Sequence, residues 1–468
     1  MALTHAVPDD RTQARRQTSF LIVFGIAVLA ALLCASPNLA DPMMRFDDFP
    51  AYFPEPKYFW LKTLNEGRWV NYLWHLRGVE TPSWLNFVFY QTCWALFGAS
   101  IAYVAFRDDR RTWFAAILAA LIVISPPATL ISLWYNTLIP GLALVAFYAF
   151  LGTVLSQKQH RFLLPVFVVL GFMSYTTYPL LLLAVCLVRT EQRSLLDLIG
   201  LLALFTLSFA GAVLIAYALN FHVHGVFGIP LADWRHATPA QGFAGLIGNL
   251  SVVRESFATF ALHSSANSAF RAMFYISMLG LAAVALARQA PLEALYLVAG
   301  LLTGAALVTV QCLKTGAMVP PRAFIFAWLF FAVILVRAAY HLYDQSDRRK
   351  RLASFCVILV FALGTSQTVA QYHSYRNWQM ETRKLGEVLA NETGPIHVFG
   401  KVLDLEAAQV SFIQDPLALK FRVRQVSGAE LVLCDENPRH CASPGVSRIE
   451  IVGDPGRAQF ELSLNGGA

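Results

Sequence analysis

The sequence predicts an all-α polytopic membrane protein of about eleven transmembrane helices, followed by a small C-terminal α+β domain. Three observations carry that prediction. The 468-residue chain is 57% hydrophobic, and its mean hydropathy is +0.53. Charged residues make up only 14%, against about 25% in soluble domains. Roughly ten or eleven runs approach the ~20 apolar residues that cross a bilayer. A transmembrane barrel would show short alternating strands instead. The +7 net charge does not mark a nucleic-acid partner. Its basic residues fall in short clusters between apolar runs, where they report topology.

The elements can be placed in order from those clusters. Arg11, Arg15 and Arg16 precede the first run, Phe20 to Ala40, and place the N-terminus inside. Ala35-Ser36-Pro37 resembles a cleavage region. The run exceeds the ~7–15 residues of a signal core, so an uncleaved anchor is expected. Residues 41–83 then lie outside. The second run, Trp84 to Phe106, returns to Arg107-Asp108-Asp109-Arg110-Arg111. The third ends near Pro126-Pro127, and the fourth, Leu138 to Leu155, returns to Lys158, His160 and Arg161. Phe162 to Val188 reads either as one long span or as two short helices turning at Tyr178-Pro179. The split is preferred because it keeps later basic clusters inside. Leu195 to Leu219 leads to a second outer segment, 220–269. Further runs end at Arg288, cover Leu292 to Val310, and end before Arg348-Arg349-Lys350-Arg351. The last run, Leu352 to Ala370, exits. The membrane domain is therefore 1–371, and the polar stretch 372–468 is expected outside.

That polar stretch starts with a helical pattern, Trp378 to Leu389. Strand-like runs come next at Ile396-His397-Val398-Phe399 and Glu430-Leu431-Val432-Leu433. Cys434 and Cys441 can pair in an oxidising compartment. Cys34, Cys93, Cys186 and Cys356 lie in apolar runs and behave as small hydrophobes. No Cys or His spacing resembles a zinc site. No internal repeat supports an inverted-repeat transporter.

The chemistry concentrates in the first outer loop. Asp47 and Asp48 lie directly after the first helix. Carboxylates beside lipid are costly unless they pair, bind or react. Neighbouring side chains diverge in a helix or a strand, so the two are expected to divide the labour. One takes a proton from an acceptor hydroxyl, and the other holds donor, metal or a neighbouring cation. The bland alternative is a polar loop end with Arg45 paired to one carboxylate. Pro50, Pro54 and Pro56 stiffen the next stretch of the loop. Tyr58-Phe59-Trp60, Trp69, Tyr72 and Trp74, interleaved with Lys57, Lys62 and Arg68, read as aromatic helices lying in the headgroup plane. Asn65-Glu66-Gly67-Arg68 sits between them. The second outer segment holds His222, His224, Asp233, Trp234, Arg235 and His236. His222 and His224 would face largely apart on a helix, which disfavours a metal there.

As an ordered set, these motifs resemble the GT-C membrane glycosyltransferases, in particular the Gtr-type O-antigen glucosyltransferases. Asp47-Asp48 matches that family's Asp-Asp motif after the first helix, and Gly67-Arg68 its Gly-Arg motif in the same loop. Ser132-Leu133-Trp134-Tyr135-Asn136 is similar to a segment after helix three. Tyr178-Pro179 is similar to a Tyr-Gln-Pro motif but lacks the Gln. Pro321-Arg322 is similar to a Pro-Arg before a late helix. The resemblance implies a bacterial inner-membrane enzyme with its C-terminal domain in the periplasm. It implies transfer of a glucose-like hexose from polyprenyl phosphate to an O-antigen, lipid-linked glycan or other envelope acceptor, with inversion. Asp47 or Asp48 would be the base.

A leaving phosphate needs cations where charge develops, and arginine forks fit it best. The outer candidates are Arg322 first, then Lys314, with Arg68 in the loop and Tyr178 as a hydrogen-bond donor. Arg254 and Arg271 read as snorkelling cations. Acceptor contacts are expected from Glu66, Trp234 and Arg235. The implied partners are membrane lipids, the lipid-linked donor, the glycan acceptor, and an upstream donor synthase and flippase. No cofactor is firmly implied, and a divalent cation is left open. Two alternatives remain, a lipid-linked glycan flippase and an O-antigen ligase or polymerase. A transporter usually places polar residues at the bilayer midplane, whereas the helix centres here are nearly free of charge. The 220–269 segment keeps the ligase open.

Overall fold

The computed structural model describes residues 10–107, 112–232, 235, 237–392, 394–435, 441 and 447–463, with side chains from residue 19 onward. Seven helices are long and apolar enough to cross a membrane: Ser83–Ala105, Pro126–Val154, Leu195–His224, Ala269–Gln289, Pro291–Thr315, Pro321–Tyr343 and Asp347–Leu389. Shorter apolar helices cover Ser19–Cys34, Thr112–Val123 and Tyr178–Arg189. The chain is a helical membrane protein with a small sheet-containing C-terminal region.

Proline positions explain two breaks. Pro126 and Pro127 open a new helix, capped by the Ser125 hydroxyl accepting from the Ala128 amide at 3.3 Å. The stretch 162–188 falls in two helices, Gln157–Phe172 and Tyr178–Arg189. Pro179 lies in the first turn of the second, where its missing N–H is harmless. Between spans, small residues set the approach. A Cβ on Gly304 would lie 2.2 Å from Phe326, and one on Gly300 2.4 Å from Phe330. These glycines let Pro291–Thr315 pack closely on Ile325–Tyr343.

After a one-turn helix at Phe49–Tyr52, the loop that follows the first apolar helix forms two longer ones, Pro56–Glu66 and Trp69–His75. Leu61 and Leu73 on these helices, and Leu76 just beyond the second, stay exposed, as fits helices lying at an interface. Gly67 ends the Pro56–Glu66 helix in the left-handed region, with φ +67°. Its N–H reaches the Thr63 carbonyl at 3.1 Å and the Arg68 N–H reaches that of Lys62 at 3.3 Å.

No loop separates membrane helix from C-terminal region. Asp347–Ser374 passes through a single residue, Tyr375, into Arg376–Leu389. The expected boundary at 371/372 falls inside this near-continuous helix, because neither Gly nor Pro interrupts residues 365–385. Beyond it lies a four-stranded sheet, ordered β2-β1-β3-β4. β1 (Ile396–Phe399) runs parallel to β2 (Leu431–Leu433) and β3 (Arg448–Val452), while β4 (Gln459–Ser463) is antiparallel to β3. Cys434 and Cys441 form a disulfide.

This region docks on the first outer loop. Asp41 is gripped by Arg422 and by Arg383 at 2.9 Å, and its carbonyl accepts from Gln379 at 2.9 Å. Arg422 is 2% exposed. Glu55 pairs with Arg424 at 2.7 Å, and Phe49 stacks on Phe421.

Candidate functional site

The two aspartates take different environments. A short 3-10 turn, Phe46–Asp48, points them apart. Asp48 is fully buried. Its carboxylate accepts from the backbone N–H of Asn136 at 3.1 Å, the Asn136 amide at 2.9 Å, and the Thr137 N–H at 2.7 Å. Asn136 and Thr137 open the Tyr135–Val154 helix. Asp48 thus satisfies amides at a helix N-terminus, where a negative charge is favoured. Burial pushes its carboxyl up to about 6, although the Thr137 and Asn136 donors pull the other way.

Asp47 faces a more open space, with its side chain 22% exposed. Its Oδ2 lies 3.1 Å from the Lys62 ammonium, and its Oδ1 accepts from the Trp134 indole N–H at 2.5 Å. Burial raises the Asp47 carboxyl, but Lys62, the Trp134 hydrogen bond and Arg68 together outweigh it. The group is therefore held below its ordinary value and stays ionised near neutrality.

Trp134 organises the cations around Asp47. The Arg322 guanidinium lies 4.2 Å from its ring centroid and that of Arg45 lies 5.8 Å away. Arg45 is 7% exposed, its N–H accepted by the Phe412 carbonyl of the docked C-terminal region. A guanidinium on an aromatic face is held without losing its charge. On the other side of the cluster, Arg68 pairs with Glu66 at 2.5 Å, and Arg235 approaches the same carboxylate at 4.0 Å. Arg68 also lies 5.7 Å from the Tyr175 ring. Burial raises the Glu66 carboxyl, but Arg68, Lys62 and Arg235 hold it below its ordinary value. Among the described residues, five cations (Arg45, Lys62, Arg68, Arg235, Arg322) thus surround two accessible carboxylates, Asp47 and Glu66. Within that set no carboxylate forms an ion pair with Arg322. The arrangement is a cluster rich in cations, with one partly exposed carboxylate that could accept a proton.

The structure therefore brings Asp47, Glu66, Arg68, Arg235 and Arg322 together, and it sets Asp48 behind them. Tyr178 is 1% exposed and packs behind Tyr175, 5.4 Å away ring to ring. Tyr175, not Tyr178, is the tyrosine that meets Arg68. Lys314 lies near the end of Pro291–Thr315, and among the described residues no polar contact ties its side chain to the cluster. Trp234 lies outside the described residues, as do Asp233 and His236. His224 is engaged by Thr63 at 2.8 Å and packs against Trp60 and Trp69. Arg45 is not paired with either aspartate. It bridges the site to the C-terminal region instead.

Three participants carry no distinguishing sequence signal as site residues: Lys62, Tyr175 and Phe412. Trp134 lies within the Ser132–Asn136 segment that already carried part of the resemblance. Nothing local distinguishes Lys62 from Lys57, or marks Phe412. Among the described residues, one group has ligand atoms close enough to hold a metal: His397, Cys434 and Cys441 in the C-terminal region, within 4.8 Å of one another. Its two sulfurs are joined as the disulfide and offer no thiolates.

The fold defines a mostly helical protein with seven helices long and apolar enough to cross a membrane, and with a cluster of cations and carboxylates around the loop after the first helix. The chain matches no protein-family model, and a search of curated proteins finds no match.

Proposed function

We propose that the protein is a membrane glycosyltransferase that moves a hexose from a polyprenyl-phosphate donor to a hydroxyl of an envelope glycan or glycolipid, with Asp47 as general base. The observation that carries this reading is that one side chain, Trp134, holds both a partly exposed carboxylate, Asp47, and Arg322, a cation with no described ion-pair partner. A base and an anion site side by side suit displacement of a phosphate from a sugar carbon. The acceptor O–H gives its proton to Asp47 as its oxygen bonds the anomeric carbon. The bond from that carbon to the phosphate oxygen breaks, and its electron pair leaves on the phosphate. Arg322 and Arg68 stabilise that charge as it develops, since arginine forks match phosphate oxygens. Attack opposite the leaving group inverts the anomeric configuration. Asp48 positions Asp47 by tying the turn that carries both to the N-terminus of the Tyr135–Val154 helix. Placement of the site on the periplasmic face rests on the basic-cluster topology.

The test is transfer of radiolabelled hexose from a synthetic polyprenyl-phosphate donor by purified protein, with a panel of hexoses and extracted acceptor lipids. Asp47→Asn is expected to lower transfer and donor hydrolysis by about a hundredfold or more, the scale of lost general-base catalysis. Wild-type turnover that survives Asp47→Asn would remove the base from this mechanism.

A further inference from the structure

At the opposite end of the membrane region lies an apolar groove of about 120 Å³. Trp113, Phe114 and Ile117 form one wall, and Ala353, Ser354 and Val357 another. Tyr343 closes its end: its ring meets Trp113 edge-on at 5.2 Å. The Lys350 ammonium lies 4.4 Å from the same Tyr343 ring, at the groove's mouth. Helical spacing explains this placement. Ala353, Ser354 and Val357 line the groove, so Lys350 and Arg351, one turn earlier, share that stripe.

The charges at this end are unbalanced. Residues 344–351 hold two carboxylates, Asp344 and Asp347, and four cations, Arg348, Arg349, Lys350 and Arg351. Arg349 is turned to Gln345, and Arg351 donates to the Asp347 backbone carbonyl at 3.4 Å. Ser346 caps the helix here by accepting from the Arg349 amide. The positive end of a 28-residue helix adds to the local potential. An apolar slot that opens beside net positive charge fits one class of molecule available in a bilayer.

We propose that this groove binds a phospholipid with a net anionic headgroup. Its acyl chain fills the slot between Trp113 and Val357, and its phosphate is held by Lys350 and Arg351. The site is independent of the transfer chemistry: it lies at the end that the basic clusters place in the cytoplasm, away from Asp47.

The full-length protein is reconstituted in phosphatidylcholine vesicles that carry a minor fraction of lipid with brominated acyl chains. The Trp113 signal is the difference between wild type and Trp113→Phe. Brominated phosphatidylglycerol is expected to quench that signal at lower mole fraction than brominated phosphatidylcholine, with a preference of about fivefold per engaged cation. Lys350→Gln with Arg351→Gln removes the two charges and keeps polar side chains of similar reach, and an unchanged thermal midpoint checks that folding is retained. It should abolish the preference and leave phosphatidylcholine quenching unchanged. Equal quenching by the two lipids in wild type would overturn the proposal, because the groove would then be ordinary lipid boundary. A preference that persists in the double variant would overturn it equally.

Discussion

Lys62→Met offers a sharp probe of the candidate base. The ammonium lies 3.1 Å from Asp47 Oδ2, with the two side chains 9% and 22% exposed. Two unit charges at that separation interact by about 5 kcal/mol at an effective dielectric constant of 20. That figure is an upper bound, because Asp47 keeps some solvent. An opposite charge this close typically displaces a carboxyl titration by about 1–3 pH units. The sign is fixed by the environment. In the wild type, burial opposes ionisation and Lys62 leads the groups that overcome it. With methionine at 62, burial keeps its effect while the largest opposing charge is gone. The acid limb of the transfer rate should therefore move upward, and Lys62→Arg should return it toward wild type. The assay is the pH dependence of transfer, or of donor hydrolysis, under single-turnover conditions. An unmoved limb in a folded, active Lys62→Met protein would show that Asp47 is not the group whose ionisation controls the reaction.

The other predictions separate position from chemistry. Asp48→Ala strips the acceptor from two buried backbone N–H groups, at about 1–3 kcal/mol each. The thermal midpoint in detergent should fall by several degrees, while Asp47→Asn melts close to wild type; the reverse order would invert the assigned roles. Gly67→Val forces a side chain into φ +67° with its Cβ 2.7 Å from Ile229. A left-handed non-glycine residue costs roughly 1–2 kcal/mol, and the displaced Arg68 should cut transfer more than it lowers the melting midpoint. Equal transfer by Gly67→Val and wild type would detach the Gly-Arg pair from the site. Arg422→Met removes one buried partner of Asp41 while Arg383 still pairs with it, a loss of about 1.5–3 kcal/mol, the scale of one hydrogen bond to a charged group. Limited proteolysis should then cleave within residues 390–430 far faster than in wild type, and an unchanged cleavage rate would mean that this clamp does not hold the C-terminal region down.

Several elements were legible because their signals are local. Ser83–Ala105 and Leu195–His224 arise from uninterrupted apolar runs. The break before Tyr178-Pro179 arises from a residue with no N–H to give. β1 and β2 fall on the two strand-like runs, and the Cys434–Cys441 pair was visible as two nearby cysteines. The division between Asp47 and Asp48 was expected from backbone geometry, yet which residue does what was not. That assignment depends on Trp134, Asn136 and Thr137, 87 to 89 positions away. Tyr175 and Tyr178 are likewise equivalent in a linear reading. Both are buried, and only the turn that carries Tyr175 puts its ring against Arg68, while Tyr178 opens the following helix.

The sequence by itself determined that the chain is a helical membrane protein, where its main apolar helices run, and that its first outer loop concentrates aspartates, aromatics and cations. These are properties of hydropathy and spacing, each set within about 20 residues. The tertiary structure decided which carboxylate is accessible, which guanidinium lacks a described ion-pair partner, and that the C-terminal region reaches Arg45 through Phe412. Exposure and charge pairing depend on neighbours brought in from distant segments. Asp48 loses its solvent to a helix N-terminus, whereas Asp47, one residue earlier, keeps its own beside Lys62.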